Sequence, residues 1–256
     1  MGHEGDGKVQ SVFRLSSGPS TCGICRMSYL KHVASEVAVH KTYHDEFVHG
    51  IIWPKSWGSV YKTVMIRTKP QSKPQLLSAK LSRKASAPVQ VAITTIDIGN
   101  KRQVAKVDRL LEMVNRELNA PPDSQQWKQP EKLAAKAYIL VVNGRAIGIV
   151  TTDTIESDSQ GRWMIHSSQT IVPGQINSRI KIGISRIWIA PEWRRMGLGT
   201  VLLNTVAQES IYGVRLDKNE IGFSQPSTSG GNLARTFNGV KHKSGEILIP
   251  VYIEQD

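Results

Sequence analysis

Two cysteines and two histidines near the start of the chain have the types and spacing of metal ligands. They are Cys22, Cys25, His40 and His44. Two residues separate the cysteines, and the histidines lie four apart on a helix predicted over residues 35–48, which contain no proline or glycine. Thiolate and imidazole ligands in this order predict a tetrahedral zinc site of the C2H2 type. His32 and His49 do not fit this spacing and are interpreted as bystanders.

The chain has no other cysteine, which excludes a disulfide framework. A Cys-x-x-Cys pair alone would also fit a redox site, but the histidine pair in register favours zinc. A single finger offers DNA only a small contact area, and DNA-reading fingers usually come in tandem. A structural or protein-docking finger is therefore favoured over sequence-specific DNA recognition.

A second group of residues has the pattern of a phosphate-binding loop. It is the run Arg194, Arg195, Met196, Gly197, Leu198, Gly199 and Thr200. The run has the form R-x-x-G-x-G and precedes a helix predicted over 198–212, whose free amides and dipole would face an anion. The glycines allow close approach of the backbone, and the arginines add positive charge. This is the form of an acetyl-CoA pyrophosphate loop, and the strand predicted before it could pair with pantetheine as a pseudo-strand.

The elements around this loop predict an α+β protein with helices on the faces of a sheet. Strands are expected at 59–67, 89–98, 162–172, 180–189, 220–224 and 246–253, with a hairpin at 137–155. Helices are expected at 103–118, 198–212 and 231–237. Asn143-Gly144 between two apolar runs favours a type I′ turn. Alternating β and α units are absent, which argues against a dinucleotide-binding fold.

The charge balance is strongly basic, with a formal net charge of +12. Residues 47–96 contain eight lysines and arginines and no acidic residue. This favours an acidic partner or a nucleic-acid-rich compartment, although a solvated basic loop that serves nuclear import explains the stretch equally well. The apolar runs are too short to cross a bilayer, and the N-terminus has no apolar signal region. A soluble intracellular protein is expected.

Three segments together resemble a known enzyme family. The stretch 183–189 (Gly-Ile-Ser-Arg-Ile-Trp-Ile), the loop 194–200 and the stretch 221–226 (Ile-Gly-Phe-Ser-Gln-Pro) are similar to the cohesin acetyltransferases, which establish sister-chromatid cohesion. The resemblance covers about residues 20–66 and 89–256 and includes the finger. It implies a GNAT-type mixed sheet flanked by helices, with a small N-terminal C2H2 zinc finger.

The composition along the chain, together with the resemblance, predicts a domain organisation. A disordered tail is expected over residues 1–20, the finger over 21–50 and the GNAT domain over 51–256, with a flexible basic insertion at 68–88. The implied reaction transfers acetyl from acetyl-CoA to lysines on the head of cohesin's Smc-type ATPase, in the nucleus during DNA replication. Cohesin and chromatin are the implied partners, and no membrane is involved. Gln10 to Phe13 begin like a peptide that binds the replication sliding clamp, but serines follow at the aromatic positions, and a disordered tail is favoured.

The family's site residues carry over by position. Ser185 matches a serine near the reacting centre, and Gln225 lies in the turn on the acceptor side. The strand along pantetheine corresponds to Ile187, Trp188 and Ile189. The pyrophosphate loop corresponds to Arg194–Thr200. A backbone N–H within 188–190 would then meet the developing oxyanion.

Gln225 is a departure, because animal members have aspartate here while fungal members carry glutamine. A lysine ammonium, with a pKa of about 10.4, must lose a proton before it attacks a thioester, and glutamine cannot accept that proton. The base is left open among Glu192, Glu220, Asp217, His166, a water chain and a substrate carboxylate. Ser185 could relay a proton or simply hydrogen-bond its neighbours.

Two other functions fit parts of the sequence. The same enzyme could acetylate histones or other chromatin proteins, which the fold alone would permit. A non-catalytic zinc-finger protein could bind nucleic acid through the basic stretch. The single finger, the lack of stacking aromatics in that stretch and the intact phosphate loop argue against this last function.

Overall fold

The computed structural model describes residues 18–67 and 88–254. The chain forms two compact units, residues 1–45 and 46–256. The clamp-like segment at 10–17, most of the predicted tail and all but the last residue of the predicted basic insertion lie outside the described residues. No helix of the described residues is long and apolar enough to cross a membrane.

The first unit holds a short hairpin and most of a helix. Strands β1 (Ser20–Thr21) and β2 (Ser28–Tyr29) pair in antiparallel fashion. The knuckle between them is closed by the Cys22 N–H, which donates to the Met27 carbonyl over 2.9 Å. Helix α1 (Ala34–His49) confirms the predicted helix, and its last turn belongs to the second unit.

The second unit is built on one mixed sheet. Its strands are β3 (Ile51–Ile52), β4 (Ser59–Arg67), β5 (Pro88–Thr95), β6 (Ala137–Val142), β7 (Arg145–Thr154), β8 (Gly161–Ile165), β9 (Thr170–Ile176), β10 (Ile182–Ile189), β11 (Ile221–Ser224), β12 (Val240–Lys241) and β13 (Ile247–Tyr252). The order is β4-β5-β6-β7-β10-β11-β13-β8-β9, with β3 beside β7 and β12 beside β13. The β10–β11 and β11–β13 pairs are parallel, and the other pairs are antiparallel.

The predicted hairpin at 137–155 is confirmed, and the two strands predicted at 59–67 and 89–98 pair with each other. Strands β4 and β5 pair from Ser59↔Thr95 to Arg67↔Pro88. Between β6 and β7, Asn143 and Gly144 have φ values of +48° and +75°, as a type I′ turn requires. This turn matches the right-handed twist of the flanking strands, so it fixes their register.

Three further helices accompany the sheet: α2 (Lys101–Leu118), α3 (Leu198–Glu209) and α4 (Thr228–Asn238). Helix α2 begins where the Asn100 side chain accepts hydrogen bonds from the amides of Arg102 and Gln103. It ends at Asn119, whose left-handed conformation (φ +50°) stops the helix before the Pro-Pro pair. Its buried face carries Val107, Leu110, Leu111 and Val114, at the spacing of one side of a helix. The mixed sheet flanked by helices confirms the predicted fold class.

The prediction of one strand over 162–172 is wrong. The segment is a hairpin of β8 and β9 joined by the polar residues 166–169. Gln169 takes a left-handed conformation (φ +54°), and its N–H donates to the Ile165 carbonyl. The β-branched residues on both sides of the turn made the segment look continuous. Five strands therefore lie between α2 and α3, one more than predicted.

Candidate active site and metal centre

The four predicted metal ligands converge in the first unit. One ligand atom from each of Cys22, Cys25, His40 and His44 lies within 4.8 Å of the others. The Cys22 Sγ is 3.4 Å from His44 Nδ1, and the His40 ring stacks on Tyr29 with centroids 4.0 Å apart. His40 Nε2 is buried and has no hydrogen-bond partner among the described residues. An ion at the centre of the four would satisfy this nitrogen.

The thiols differ in their environments. Backbone N–H groups at Cys25 and Ile24 lower the pKa of Cys22 to about 6, which favours the thiolate that binds metal. Burial raises the pKa of Cys25. The donor set, its separation and the unsatisfied imidazole nitrogen fit zinc. Neither His32 nor His49 belongs to this cluster.

In the second unit, the pairing of strands β10 and β11 ends at Ile184 and Phe223. Their parallel register runs from Ile182↔Ile221 to Ile184↔Phe223. Beyond Ile184, β10 continues to Ile189 with only β7 as a partner among the described strands. One backbone edge of β10, which includes the predicted residues Ile187, Trp188 and Ile189, is therefore left without a strand partner within the described sheet. Such an edge can pair with an extended ligand.

The donor loop, residues 194–200, lies just past the end of that strand and leads into α3. Gly197 is the N-cap of α3, with φ +79° and open space where a Cβ would project. The first helical bond runs from the Val201 N–H to the Gly197 carbonyl over 3.1 Å. The amides of Leu198, Gly199 and Thr200 precede this bond, so none of them has a helical carbonyl to bind. They form the kind of helix N-terminus that binds phosphate.

Gly199 has a different structural role from Gly197. A Cβ at Gly199 would lie 2.9 Å from Leu233 Cδ2 on α4. The missing side chain therefore lets α3 pack closely against α4. Both glycines were predicted to allow close approach to phosphate, and only Gly197 of the two has open space at its Cβ position.

Arg194 is already engaged in the structure. Its Nη2 lies 2.8 and 3.0 Å from the two carboxylate oxygens of Glu117, and its Nε donates to the Ile189 carbonyl over 2.7 Å. Glu117 also accepts a hydrogen bond from Trp188 Nε1 over 2.5 Å. Arg194 therefore ties the end of β10 to α2. Its neighbour Arg195 is exposed and takes a left-handed conformation (φ +64°).

Ser185 lies at the irregular point of β10. The pairing of β10 with β7 shifts register between Ile184 and Arg186, which places Ser185 in a bulge. Ser185 is only 5% exposed, and its Oγ donates to Asp123 Oδ1 over 2.5 Å. Ser224 at the end of β11 donates to the Ser185 carbonyl over 3.1 Å. The next residue, Gln225, is exposed.

A group of polar residues, all buried except the half-buried Ser124, extends from Ser185. This carboxyl cluster consists of Asp123, Ser124, Asp153, Ser185 and Tyr252. Asp153 accepts hydrogen bonds from Ser124 Oγ over 2.5 Å and from the Tyr252 hydroxyl over 2.8 Å. Burial raises the pKa of Asp153 to about 6 and also raises the pKa of Asp123.

The base candidates drawn from the sequence are bound elsewhere. Glu192 lies 2.6 Å from His49 Nδ1. Glu220 pairs with Lys181 over 2.5 Å, and its other oxygen accepts the Asp217 N–H over 2.8 Å. His166 Nε2 is 3.2 Å from Asn232 Oδ1. Not one of these contacts involves Ser185.

Asp123 and Asp153 were not among the site residues predicted from the sequence. Asp123 follows Pro121-Pro122 in the loop after α2, and Asp153 lies near the end of β7. Neither residue has a spacing relative to Ser185 that a motif could express. The carboxylate directly after the helix-stopping prolines was the single local signal available.

Three family profiles match the sequence. They are described as ESCO1/2 acetyl-transferase (residues 178–249), zinc-finger of acetyl-transferase ESCO (residues 10–46) and Acetyltransferase (GNAT) family (residues 107–211). N-acetyltransferase ECO1 of Debaryomyces hansenii is 47% identical, over 97% of this chain and 89% of that protein. N-acetyltransferase ECO1 of Saccharomyces cerevisiae is 31% identical, over 96% of this chain and 94% of that protein.

A solved structure shares the fold. The xEco2 acetyltransferase domain bound to a K105-CoA conjugate has a TM-score of 0.50 and 22% identity, and covers 65% of this chain and 95% of that one. Fold and site together define an acetyl-CoA-dependent N-acetyltransferase of GNAT type with a zinc finger. The chain belongs to the ESCO/ECO1 acetyltransferase family. Together, the profiles, the relatives and the cluster of four metal ligands confirm the predicted family, fold and enzyme class. They also confirm the acetyl-CoA co-substrate and the zinc ion that the sequence predicted.

Proposed function

We propose that this enzyme acetylates lysines on the head of cohesin's Smc-type ATPase and thereby establishes sister-chromatid cohesion during DNA replication. The observation that carries this proposal is the similarity to N-acetyltransferase ECO1 over 97% of the chain, finger included. The same proposal places the enzyme in the nucleus, on chromatin, where the basic charge of +12 suits a nucleic-acid-rich setting.

On the donor side, acetyl-CoA lies along the free edge of β10. Its pantetheine arm pairs with the backbone of residues 187–189, and its pyrophosphate binds the amides at the start of α3. The free edge and the three amides that precede the first helical bond of α3 support this placement. The loop thus holds the cofactor mainly through backbone groups, with Arg195 adding charge.

The oxyanion that develops on the thioester carbonyl needs an N–H donor at the end of β10. The Ala190 N–H already donates to the Ile147 carbonyl over 2.8 Å. The Trp188 N–H faces β7 in the same way, because N–H groups alternate in direction along a strand. The Ile189 N–H, on the free edge, is therefore the donor within the predicted range. The acceptor lysine enters from the side of the exposed Gln225, whose amide can orient the amine but cannot take its proton.

The experiment presents the zinc-loaded full chain with acetyl-CoA and three acceptors: a folded Smc head, the same head with its exposed lysines changed to arginine, and histone tails. Lysine mass shifts are read by peptide mass spectrometry. We expect acetylation of the native head at a rate well above that of histone tails and loss of the signal on the arginine head.

Faster acetylation of histone tails than of the Smc head would show that the acceptor is a histone and not cohesin. Nanomolar DNA binding without transfer to any lysine would overturn the enzyme's proposed role altogether. A Cys25→Ser variant tests the finger in the same assay. If it acetylates a short head peptide at the normal rate but the folded head slowly, the finger recruits or stabilises and takes no part in the chemistry.

A further inference from the structure

A buried carboxylate lies directly against the serine of the candidate site. Asp123 is 5% exposed, and its two oxygens face two neutral donors. Oδ1 accepts the Ser185 hydroxyl over 2.5 Å, and Oδ2 accepts Trp127 Nε1 over 3.0 Å. Because the Ser185 proton points at Asp123, the lone pairs of Ser185 Oγ are free to accept a proton from another group.

The charged and titratable groups around Asp123 come from three strands and the chain beyond them. They are Arg186 on β10, Asp153 on β7 and Glu254 just after β13, and Tyr252 on β13 donates a hydrogen bond to Asp153. The Arg186 guanidinium donates to Asn115, to the carbonyls of Pro121 and Ser185, and to Glu254. It stabilises the carboxylate of Asp123 electrostatically, whereas burial and Glu254 favour the protonated form.

Burial has the larger effect and raises the pKa of Asp123 above its ordinary value. A carboxylate with a raised pKa is a stronger base than an exposed one, because its conjugate acid holds the proton more tightly. Asp123 therefore has a property that the exposed glutamine in the acceptor turn lacks.

We propose that Asp123 is the proton acceptor for the substrate lysine, acting through the Ser185 hydroxyl. The proposal deepens the proposed function, since it takes Ser185 to lie beside the reacting amine. Asp123 does not touch the substrate, so its role is to store a proton and to position Ser185, while Ser185 is the catalytic residue.

In the first step the lysine ammonium gives one proton to Ser185 Oγ as the Ser185 hydroxyl proton passes to Asp123. This leaves a neutral amine, an unchanged serine and a protonated Asp123. The amine nitrogen then attacks the thioester carbon, a C–N bond forms, and the C–S bond breaks with its electron pair going to sulfur. The second amine proton ends on that sulfur as the CoA thiol. Asp123 returns its proton to solvent after product release.

The test compares Asp123→Asn with the native full chain in kcat/KM against pH, from about pH 6 to pH 10, with a lysine peptide that the native chain acetylates. Asparagine keeps the size and one acceptor oxygen but cannot store a proton. We expect a loss of about 10²- to 10³-fold near pH 7, as for removal of a general base. The loss should shrink as the pH approaches the pKa of free lysine, and the KM for acetyl-CoA should not change.

Two variants control this test. Asp123→Glu restores a carboxylate and should recover part of the lost rate. Asp158→Asn makes the same change at an exposed residue outside the carboxyl cluster, and it should behave like the native chain. A loss below about threefold in Asp123→Asn, or an equal loss at every pH, would overturn the proposal, because a purely structural role predicts no dependence on lysine ionisation.

A second variant covers the case in which Asp123→Asn does not fold. Trp127→Phe removes a hydrogen bond that lowers the pKa of Asp123 while the carboxylate stays in place. The acidic limb of the kcat/KM profile should then move to higher pH. If the acidic limb of the profile stays at the same pH in Trp127→Phe, Asp123 is not the proton acceptor.

The outcome is separable from that of the proposed function. The pH comparison uses any lysine peptide that serves as an acceptor, so it can succeed even if the cohesin head is the wrong substrate. If the native chain acetylates no lysine at any pH, the proposed function fails first. If the native chain is active and its profile is insensitive to both variants, the relay alone fails.

Discussion

The donor loop follows the end of β10 and the carboxyl cluster reaches the same strand through Ser185, but the two are built in opposite ways. The donor loop is a contiguous run of seven residues whose amides become available because a helix begins there. The carboxyl cluster takes residues from the loop after α2, from β7, from β10 and from β13. Its members are up to 129 positions apart, from Asp123 to Tyr252.

This difference has a physical basis. Phosphate binding needs only local backbone geometry, so one short segment can provide it. Proton storage near neutral pH needs a desolvated carboxylate, and desolvation requires packing by several distant segments. Changes in the loop should therefore affect cofactor binding, and changes in the cluster should affect turnover and its pH dependence.

The largest expected effect separates these two regions most clearly. Ser185→Ala should lower kcat by about 10²- to 10³-fold, because it removes the hydroxyl that passes the proton from the amine to the Asp123 carboxylate. The KM for acetyl-CoA should stay within about twofold, since the amides of the loop are untouched. Steady-state kinetics with varied acetyl-CoA measures both constants. A tenfold rise in KM with normal kcat would show that Ser185 belongs to the donor side.

The next prediction concerns how the burial of Asp153 makes the free energy of unfolding depend on pH. Its pKa rises from 3.8 to about 6 on folding. Between these values the folded chain holds a proton that the unfolded chain has lost, so the free energy of unfolding falls as pH rises from about 4 to about 6 and then levels off. The loss is at most about 3 kcal/mol, from 1.36 kcal/mol per pKa unit.

Asp153→Asn should remove this part of the pH dependence. Other carboxyls titrate in both proteins, so the measured quantity is the change in Tm from pH 4.5 to pH 7.5, compared between variant and native chain. The variant should lose less Tm, or gain more, over this interval. Equal changes in the two proteins would mean that Asp153 titrates at its ordinary pKa.

A smaller effect is expected from the first glycine of the donor loop. Gly197→Val forces a β-branched residue into φ +79°, at a cost of roughly 1–2 kcal/mol. The KM for acetyl-CoA should rise roughly tenfold with kcat little changed, since 1.4 kcal/mol is a factor of ten.

The matched control is Gly199→Ala, whose Cβ meets Leu233 and no left-handed backbone. Its defect should be relieved by Leu233→Ala, which makes room on α4, whereas that change should not help Gly197→Val. Rescue of both glycine variants by Leu233→Ala would show that the two positions share one packing role.

The smallest effect tests whether Glu117 competes with the cofactor for Arg194. An exposed ion pair is worth about 0.2–1 kcal/mol, so Glu117→Gln should free Arg194 and lower the KM for acetyl-CoA by roughly two- to fivefold at low salt. Added salt should erase the difference. A higher KM in Glu117→Gln would instead show that Glu117 supports the site by holding Trp188 and Arg194 at the end of β10.

Most of the fold could be predicted from local sequence. The Asn143-Gly144 turn, the 3.6-residue periodicity of α2 and the Pro-Pro pair after it depend on backbone preferences of a few residues. The one wrong strand, over 162–172, failed for the same local reason. Its four polar turn residues are flanked by β-branched residues on both sides, and alternation alone does not show where a chain reverses.

The site was predictable only in part. Cys22, Cys25, His40 and His44 converge because the knuckle and the helix that carry them are local structures, so their spacing reports their geometry. Arg194 was expected at a phosphate and lies against Glu117 from a distant helix. That pairing depends on where α2 packs, which no motif expresses.

By itself, the sequence determined the metal ligands, the phosphate-binding helix start and the family. Each of these depends on residue types within a short segment. Only the tertiary structure showed that a side chain at Gly199 would meet Leu233 on α4. It also showed that the Ala190 amide is already hydrogen-bonded and that Asp123 is the carboxylate against Ser185. These depend on packing between segments far apart in the chain. The pKa of a buried acid is set by that packing, because desolvation is a property of the whole surrounding.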